Sequence, residues 1–256
     1  MIDIKNITTG YGKIDILREL SLSFEKGKLT SVIGPNGSGK STLLKSLVGI
    51  LPHGNGDIVI DGENVRNLSR TERAKKLAYL SQEKTVPDMS VEELVLHGRF
   101  PYLKYPRGYS EADKKVARLA ISRIGIGELS QKPISKLSGG MKQSAYIAMA
   151  LAQETDYILL DEPTTHLDVA HQFELMKILR TLADDGKGIV TVMHDLPLAL
   201  SFSDSVAVLQ NGKILFFGTP GELIKSDVIK NVFGVSVSHE NSEYYYQISK
   251  TYLEEK

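Results

Sequence analysis

The sequence predicts an α/β fold: a mixed, mainly parallel sheet with an N-terminal antiparallel β part and an inserted helical lobe. Apolar runs of strand length alternate with helical patterns, an order typical of parallel sheets. Residues 83–153 instead show little strand character. The 256 residues suffice for one large domain and leave little room for two equal ones. We therefore predict a single domain over residues 1–256, with a helical lobe at about 83–153.

The strands are predicted from short apolar runs bounded by turn residues. Ile2 and Ile4 begin one short strand, and the run at 20–24 predicts a second, across a loop at 10–12. Residues 57–62 resemble an edge strand that ends in a turn. Further strands are expected at residues 29–33, 78–81, 157–160, 188–193, 205–209 and 214–217, with one weak strand after residue 235.

Capping and turn residues set the expected ends of the other elements. Ser90 with Glu93, and Ser110 with Asp113, form capping-box patterns, and the second predicts a helix towards residue 124. Asn-Gly at 211–212 predicts a hairpin turn, because such turns need positive φ. Further helices are expected at residues 42–48, 143–151 and 167–183, and one begins at 219.

The composition is that of a globular protein without a strong overall charge. The 31 Lys and Arg residues balance 31 Asp and Glu residues, so no global basic field attracts nucleic acid. The absence of cysteine excludes disulfides and thiolate metal sites and is compatible with the cytosol. The chain lacks a signal-peptide pattern and any run near the roughly 20 apolar residues of a membrane span. We expect a cytoplasmic protein that reaches a membrane only through a partner.

Residues 34–41 carry the clearest chemical motif. They read Gly-Pro-Asn-Gly-Ser-Gly-Lys-Ser and match G-x-x-x-x-G-K-[ST] between a predicted strand and helix. The glycines let backbone N–H groups converge on phosphate oxygens at a helix N-terminus. Lys40 would reach the outer phosphates, and Ser41 would ligate Mg²⁺. An ordinary glycine-rich turn is disfavoured by the flanking strand and helix, so we predict a P-loop NTPase core.

Two adjacent carboxylates follow a second predicted strand. Asp161 and Glu162 lie at its carboxyl end, where α/β sheets open their ligand crevice. Asp161 would then serve Mg²⁺, and Glu162 would face the γ-phosphate and activate water. An isolated Asp-Glu pair is more often a solvated strand end, and the phosphate loop favours the functional interpretation.

Leu-Ser-Gly-Gly at 137–140 precedes a helical run and offers a second anion cradle, from backbone amides and Ser138. Taken alone, it is better explained as a Ser N-cap followed by two permissive glycines. One chain with two phosphate cradles nevertheless needs an explanation.

The chain resembles the nucleotide-binding subunits of ABC transporters over essentially its whole length, with the motifs in the family's order. Taken singly, Tyr11 is better explained as a packed loop residue and His194 as a satisfied histidine, and their places in the series favour functional roles. Residues 34–41 resemble the Walker A loop, Gln82 the Q-loop glutamine, 137–140 the signature motif, 158–162 the Walker B strand, Leu167-Asp168 the D-loop, His194 the switch histidine and Tyr11 the aromatic residue that stacks on adenine.

The resemblance implies a site for ATP and Mg²⁺. Catalytic roles would belong to Lys40, Gln82, Glu162 and His194, and the Mg²⁺ ligands would be Ser41, Gln82 and Asp161. The residues implied to contact ATP are Tyr11, Gly34, Pro35, Asn36, Gly37, Ser38, Gly39, Lys40, Ser41, Thr42, Ser138, Gly139, Gly140 and Asp168.

The resemblance also implies a homodimer in which each ATP lies between the phosphate loop of one subunit and residues 138–140 of the other. Asp168 would reach across the dimer seam. The implied partners are transmembrane permease subunits and, indirectly, a substrate-binding protein, at the cytoplasmic face of the membrane. No nucleic-acid partner is expected.

One segment departs from the family pattern. The signature usually continues Gln-Arg-Gln-Arg, and residues 141–144 read Met-Lys-Gln-Ser. Met141 lacks the amide of glutamine, and Ser144 lacks the charge of arginine. Main-chain amides and Ser138 remain able to bind phosphate, so we expect changes in rate and affinity rather than loss of activity.

The cargo is indicated by two segments only. Residues 97–102 and 164–172 look most like those of importers for iron-siderophore, haem, cobalamin or related metal chelates, and molybdate or tungstate importers are the alternative. Residues 83–109 would line a groove for a permease helix. The aromatic residues Phe100, Tyr102 and Tyr105 either face that partner or pack the inserted lobe.

His166 and His171 are not expected to share a metal ion. On one helix a five-residue separation places them about 140° apart, off a common face. We predict no metal site made by protein side chains alone.

Three other functions remain as alternatives. A soluble ABC ATPase acting on nucleic acid or the ribosome usually carries two cassettes or a coiled-coil insertion, which this sequence lacks. A non-hydrolysing subunit is disfavoured by intact Lys40, Asp161, Glu162 and His194. A small-molecule kinase leaves residues 137–140 and His194 without a role.

Overall fold

The computed structural model describes residues 1–82, 86–240 and 243–247. Its strands are β1 (Ile2–Tyr11), β2 (Ile14–Phe24), β3 (Leu29–Ile33), β4 (Asn55–Ile60), β5 (Glu63–Asn64), β6 (Leu77–Leu80), β7 (Tyr157–Asp161), β8 (Gly188–Val192), β9 (Ser205–Gln210), β10 (Lys213–Gly218), β11 (Ser236–Glu240) and β12 (Glu243–Gln247). Its α-helices are α1 (Lys40–Leu47), α2 (Arg70–Lys76), α3 (Val91–Leu96), α4 (Glu111–Ile124), α5 (Gly139–Ala152), α6 (Val169–Asp184), α7 (Leu196–Phe202), α8 (Pro220–Lys225) and α9 (Val228–Phe233).

The N-terminal part is an antiparallel sheet in the order β2-β1-β4-β5. The prediction of an antiparallel N-terminal part is confirmed, but the predicted short length of its first two strands was wrong. β1 and β2 are long strands that meet with Tyr11 opposite Ile14. Gly12 and Lys13 form the turn between them, and the rest of the loop expected at 10–12 belongs to β1. The predicted edge position of β4 was also wrong, because the two-residue strand β5 pairs with its outer side.

The central sheet has the order β10-β9-β3-β8-β7-β6. Its inner pairings are all parallel, and only β10 runs antiparallel to its neighbour β9. The predicted mixed, mainly parallel sheet is therefore confirmed. Asn211 and Gly212 form the β9–β10 turn with φ of 50° and 76°, as the hairpin signal requires.

Both faces of the central sheet are covered by apolar side chains, and strand β7 shows how. Tyr157 and Leu159 point into a core shared with the N-terminal sheet and α1. Ile158 and Leu160 point to the opposite face, into a core shared with helices α3 to α7. A strand alternates its side chains between two faces, so a strand buried on both must be apolar throughout. The charged residue of β7, Asp161, lies at its carboxyl end.

Several helix starts follow the predicted capping chemistry. Ser90 and Ser110 form the expected capping boxes at α3 and α4. Helix α6 begins after Asp168, whose carboxylate caps it. His166 precedes the helix with φ of 66°, so the assumption that His166 and His171 lie on one helix was wrong.

Helices α3, α4 and α5 lie between β6 and β7 in the chain. The division into a single domain with an inserted lobe at 83–153 stays a prediction, and residues 83–85 lie outside the described residues. The single weak strand expected after residue 235 was wrong in number, since β11 and β12 form an antiparallel hairpin.

A buried arginine holds this helical part together. Arg99 donates from Nε to Asp113 Oδ1 at 3.1 Å, and from Nη1 to Ala152 O at 2.8 Å and to Glu154 Oε2 at 2.6 Å. Its guanidinium also lies 4.0 Å from the centre of the Tyr102 ring. Arg99 is 7% exposed, so its charge depends on these partners. One residue thus joins the ends of α3, α4 and α5.

We predict that Arg99→Met lowers the free energy of unfolding by about 3–5 kcal/mol, because removing one member of a buried ion pair leaves the other uncompensated. Chemical denaturation measures the change. Arg118→Met is the matched control: Arg118 is exposed and lies 3.6 Å from Glu92, and its loss should cost less than about 1 kcal/mol. Equal losses in the two variants would contradict the bracing role of Arg99.

Candidate nucleotide site

The loop between β3 and α1 forms one wall of a cavity of about 210 Å³. Gly34 has φ of 154°, and a Cβ there would lie 2.0 Å from Leu209 O. Gly39 has φ of 106°, and a Cβ there would lie 2.6 Å from Leu17 Cδ2. Only glycine fits these two positions, so the loop's shape follows from its sequence. The cavity is lined by Tyr11, Ile16, Asn36, Gly37, Ser38, Gly39, Lys40, Ser41, Thr42 and Glu162.

Two polar groups of the loop are buried and suited to an anion. The Lys40 ammonium donates to Gly34 O at 2.8 Å and Pro35 O at 2.9 Å, and burial lowers the pKa of Lys40. Ser38 Oγ is buried without a hydrogen-bond partner among the described residues. A buried cation and a spare hydroxyl beside an open cavity both gain from a phosphate ligand.

Asp161 lies at the base of this site. Its Oδ1 accepts from Ser41 Oγ at 2.9 Å and its Oδ2 from Tyr79 OH at 3.2 Å. Burial raises the pKa of Asp161, and burial together with the nearby carboxylate raises that of Tyr79. The sequence motif missed Tyr79; its position one residue before the end of β6 was the available signal.

Glu162 lies at the rim of the cavity with φ of 51°, in the left-handed region that non-glycine residues rarely adopt. Gln82 Nε2 lies 2.6 Å from its Oε2, and His194 Nε2 lies 2.5 Å from its Oε1. Thr165 Oγ1 donates to the same Oε2 at 3.3 Å. A carboxylate is thus held beside the phosphate loop by three side chains that can each donate a hydrogen bond.

These side chains meet because their strands are parallel neighbours. β3 leads into the phosphate loop, β7 ends at Asp161, β8 is followed by His194, and β6 by Gln82. Parallel strands bring their carboxyl ends to one edge of a sheet. The structure therefore brings together Tyr11, residues 34–42, Gln82, Asp161, Glu162 and His194.

The remaining predicted residues form a second group. Ser138 caps α5 and accepts from Met141 N at 3.3 Å, and Asp168 caps α6. A Cβ on Gly139 would lie 3.6 Å from His166 O, so the start of α5 packs on the loop before α6. Gly140 lines a different cavity, of about 630 Å³. Within one chain Ser138, Gly139, Gly140 and Asp168 thus do not contribute to the phosphate-loop cavity.

Gln172 is a further residue that sequence reasoning left out. Its Nε2 donates to Leu167 O at 3.1 Å and to Thr164 O at 3.3 Å, so it holds the turn between Glu162 and α6. Its position one turn inside a helix that follows a carboxylate pair was the only signal. Among the described residues, none of the helices has both the length and the apolar character required to cross a bilayer.

The known sequences that resemble this chain indicate one family. The pattern that defines the ABC transporter family matches residues 17–165. The chain is 39% identical over 234 residues to a petrobactin import ATP-binding protein of Bacillus anthracis, covering 91% of this chain and 86% of that one. It is also 39% identical to an iron(3+)-hydroxamate import ATP-binding protein of Bacillus subtilis, covering 91% and 88%.

Solved structures agree on the fold. A metal-chelate type ABC transporter in an inward-facing conformation has a chain that is 25% identical, with a TM-score of 0.83 and 98% of each chain covered. A dimeric ATP-binding cassette, bound to ADP and Pi after hydrolysis, is 28% identical with a TM-score of 0.73, covering 86% of this chain and 99% of that one.

The phosphate loop, the carboxylates at the end of β7 and the family match over residues 17–165 agree with one another. This chain belongs to the ABC transporter family and is one of its ATP-binding ATPases.

Proposed function

We propose that the chain is the ATP-hydrolysing subunit of an importer for iron-siderophore or a related metal chelate, and that it works as a homodimer on a membrane permease. The proposal of hydrolysis is supported by the position of Glu162, which lies between Gln82 and His194 beside the phosphate-loop cavity. A general base with positioned donors on both sides is what hydrolysis of a γ-phosphate requires.

The loop residues fit the phosphates of ATP. Lys40 and Ser38 lie buried in the loop, one a cation and the other a hydroxyl without a partner in the described structure. Tyr11 lines the same cavity and is 50% exposed, so its ring is accessible to a base. We assign the phosphates to residues 34–42 and adenine to Tyr11.

The donor set also fits Mg²⁺, which prefers oxygen ligands. Ser41 Oγ and Asp161 Oδ1 lie 2.9 Å apart at the base of the cavity, and the side-chain oxygen of Gln82 is a further candidate ligand. When bound, Mg²⁺ would neutralise charge on the outer phosphates. Burial raises the pKa of Asp161, and a nearby cation would favour the ionised form of this carboxyl group.

In hydrolysis Glu162 would accept a proton from the attacking water. Its two oxygens are hydrogen-bonded to Gln82 and His194. A γ-phosphate at the cavity offers both donors a second acceptor, which would release a carboxylate oxygen for water. Gln82 and His194 therefore act as sensors of the γ-phosphate.

The dimer follows from the separation of the two site halves. Ser138, Gly139, Gly140 and Asp168 form a group of their own, away from the phosphate-loop cavity of the same chain. A second copy, placed head to tail, can supply that group to the ATP held by the first. The similarity to a dimeric cassette supports this arrangement.

The helical lobe is the proposed permease contact. Phe100 and Tyr105 are 51% and 96% exposed, whereas Tyr102 is partly buried and donates to Gln153 O at 3.0 Å. Of the three aromatic residues, Tyr102 therefore packs the lobe and the other two are free to face a partner. Exposed aromatic side chains of this kind are common at interfaces. Through this contact the chain would lie at the cytoplasmic face of the membrane.

The cargo is proposed from the relatives, which are named for import of petrobactin and iron(3+)-hydroxamate. A substrate-binding protein would deliver such a chelate to the permease. Uptake of radiolabelled iron-siderophore by cells that carry the gene with its permease, compared with molybdate uptake, tests this choice. Molybdate-only uptake would contradict it.

We predict that Lys40→Ala weakens ATP binding about a hundredfold, because it removes the side-chain cation placed against the outer phosphates. Equilibrium binding of a fluorescent ATP analogue measures the change. The exposed Lys5 of β1 is the control, and Lys5→Ala should bind normally. Unchanged affinity in Lys40→Ala would mean that another group binds the phosphates.

We predict that His194→Ala lowers kcat by about 10²-fold or more and leaves nucleotide affinity nearly unchanged, because His194 contacts Glu162 and not the phosphate loop. Steady-state ATPase assays and nucleotide titration measure the two effects. His97→Ala, in the helical part, serves as an imidazole control. Comparable losses of turnover and binding would indicate a structural role for His194.

We predict that Glu162→Gln lowers hydrolysis about 10²- to 10⁴-fold, because the amide keeps the shape and loses the base. Bound ATP then persists, and removal of a negative charge near the γ-phosphate relieves repulsion. Size-exclusion chromatography with light scattering should show a monomer without nucleotide and a dimer with ATP.

Adding Ser138→Arg to Glu162→Gln should abolish that dimer, because the bulky cation fills the second cradle. Hydrolysis at the wild-type rate by Glu162→Gln would contradict the base assignment. An inactive variant that stays monomeric with ATP at high concentration would instead contradict the shared site.

A further inference from the structure

We propose that His171 is a positioning residue: its imidazole holds Asp168 and the start of α5 in one arrangement, so that a single chain presents both to the ATP bound by a second copy. This inference rests on the proposed dimer. His171 does not contact the phosphate-loop cavity of its own chain. Its effect on the reaction would be exerted through Asp168 and Gly140.

The imidazole is bound to Asp168 through both carboxylate oxygens. His171 Nδ1 lies 2.8 Å from Oδ1 and 2.8 Å from Oδ2, and the backbone N–H of His171 donates to Oδ1 at 2.9 Å. The backbone bond alone caps α6, as it does in many helices. The ring bond is additional, and it fixes the rotamer of the carboxylate that the dimer would use. The tautomer that donates from Nδ1 is therefore favoured.

The same ring packs against the signature glycine. A Cβ at Gly140 would lie 2.4 Å from Cδ2 and 2.8 Å from Cγ of His171. Gly140 does not have a positive φ, so its lack of a side chain is explained by this close approach and not by backbone conformation. The ring thus contacts Asp168 on one side and the first turn of α5 on the other.

The turn that carries Asp168 is connected to the catalytic carboxylate. Thr165 Oγ1 donates to Glu162 Oε2, and Gln172, the neighbour of His171, donates to the carbonyls of Thr164 and Leu167. Held at these points, the segment from Glu162 to His171 has little freedom. The arrangement of Asp168 is thereby tied to Glu162.

His171 is not required to fill the core. Its side chain is 40% exposed and borders the cavity of about 630 Å³ between α4, α5 and α6. Hydrogen bonds and one-sided packing on Gly140, rather than enclosure, therefore hold the ring. Removing it should loosen Asp168 and the start of α5 with little loss of stability.

The test compares His171→Ala, His171→Asn and the control Glu174→Ala. Asparagine can still donate to Asp168, and Glu174 is an exposed residue of α6 that borders the same cavity. Amide hydrogen exchange of the ATP-free chain reports the bracing directly. We expect faster exchange at residues 139–142 and 165–171 in His171→Ala, partial restoration in His171→Asn, and no change in Glu174→Ala.

ATP-driven dimerisation is then measured with each substitution added to Glu162→Gln. We expect His171→Ala to raise the ATP concentration for half-dimerisation about tenfold or more, the usual effect of losing a hydrogen bond to a charged group. His171→Asn should recover most of it. Affinity of the monomer for a fluorescent ATP analogue and the melting temperature should stay at the values of Glu162→Gln.

Unchanged exchange in His171→Ala would overturn the proposal, and so would dimerisation at the ATP concentration of Glu162→Gln. A fall in melting temperature with loss of monomer binding would also overturn it, because it would show a structural role only. If Glu162→Gln itself forms no dimer, the shared-site function fails. The exchange data then still decide whether His171 braces Asp168 and α5.

Discussion

Parallel hydrogen bonding between β3, β8, β7 and β6 is the constraint on which the site depends. Val32 and Asp161 are both in register with Val192, and Leu80 with Leu160. This register brings four chain segments to one edge of the sheet, although up to 160 residues separate Gly34 from His194. A slip of one residue in any pair would turn its buried side chains to the other face of the sheet. Because both faces are packed, the apolar core fixes the register and hence the geometry of the candidate site.

Burial on both faces also explains the electrostatics of the site. The central strands are mainly apolar, and their charged residues, such as Asp161 of β7, lie at the carboxyl ends. In the site, burial lowers the pKa of the Lys40 ammonium and raises the pKa of the Asp161 carboxyl group. Both shifts reflect the cost of holding charge out of water. A nucleotide with its cation would offset that cost.

Much of the fold, and the grouping of residues in the candidate site, was predictable because the signals are local. The phosphate loop, the capping boxes at Ser90 and Ser110 and the turn at 211–212 each depend on a few neighbouring residues. The errors at β4 and in the tail concern neighbouring segments whose hydrophobic pattern is weak. The outer partner of β4 is a two-residue strand without a hydrophobic pattern, and the tail hairpin has polar strands. Tyr79 lies outside the motifs, Gln172 only ends the segment compared for cargo, and the tertiary structure shows what each contacts.

In the proposed dimer, the two groups of site residues in one chain would contact two different ATP molecules. Glu162 borders the ATP that its own chain would hold, while Asp168 and Gly140 face elsewhere. A short segment joins them, held by hydrogen bonds from Thr165 and Gln172. In the proposed dimer, a change at Glu162 on binding or loss of a γ-phosphate would reach Asp168 through these contacts. Coupling between two sites is reciprocal in free energy, so occupancy of one site should alter the affinity of the other. In the proposed dimer, coupling between the two nucleotides would thus be transmitted within each chain, without a contact to a permease.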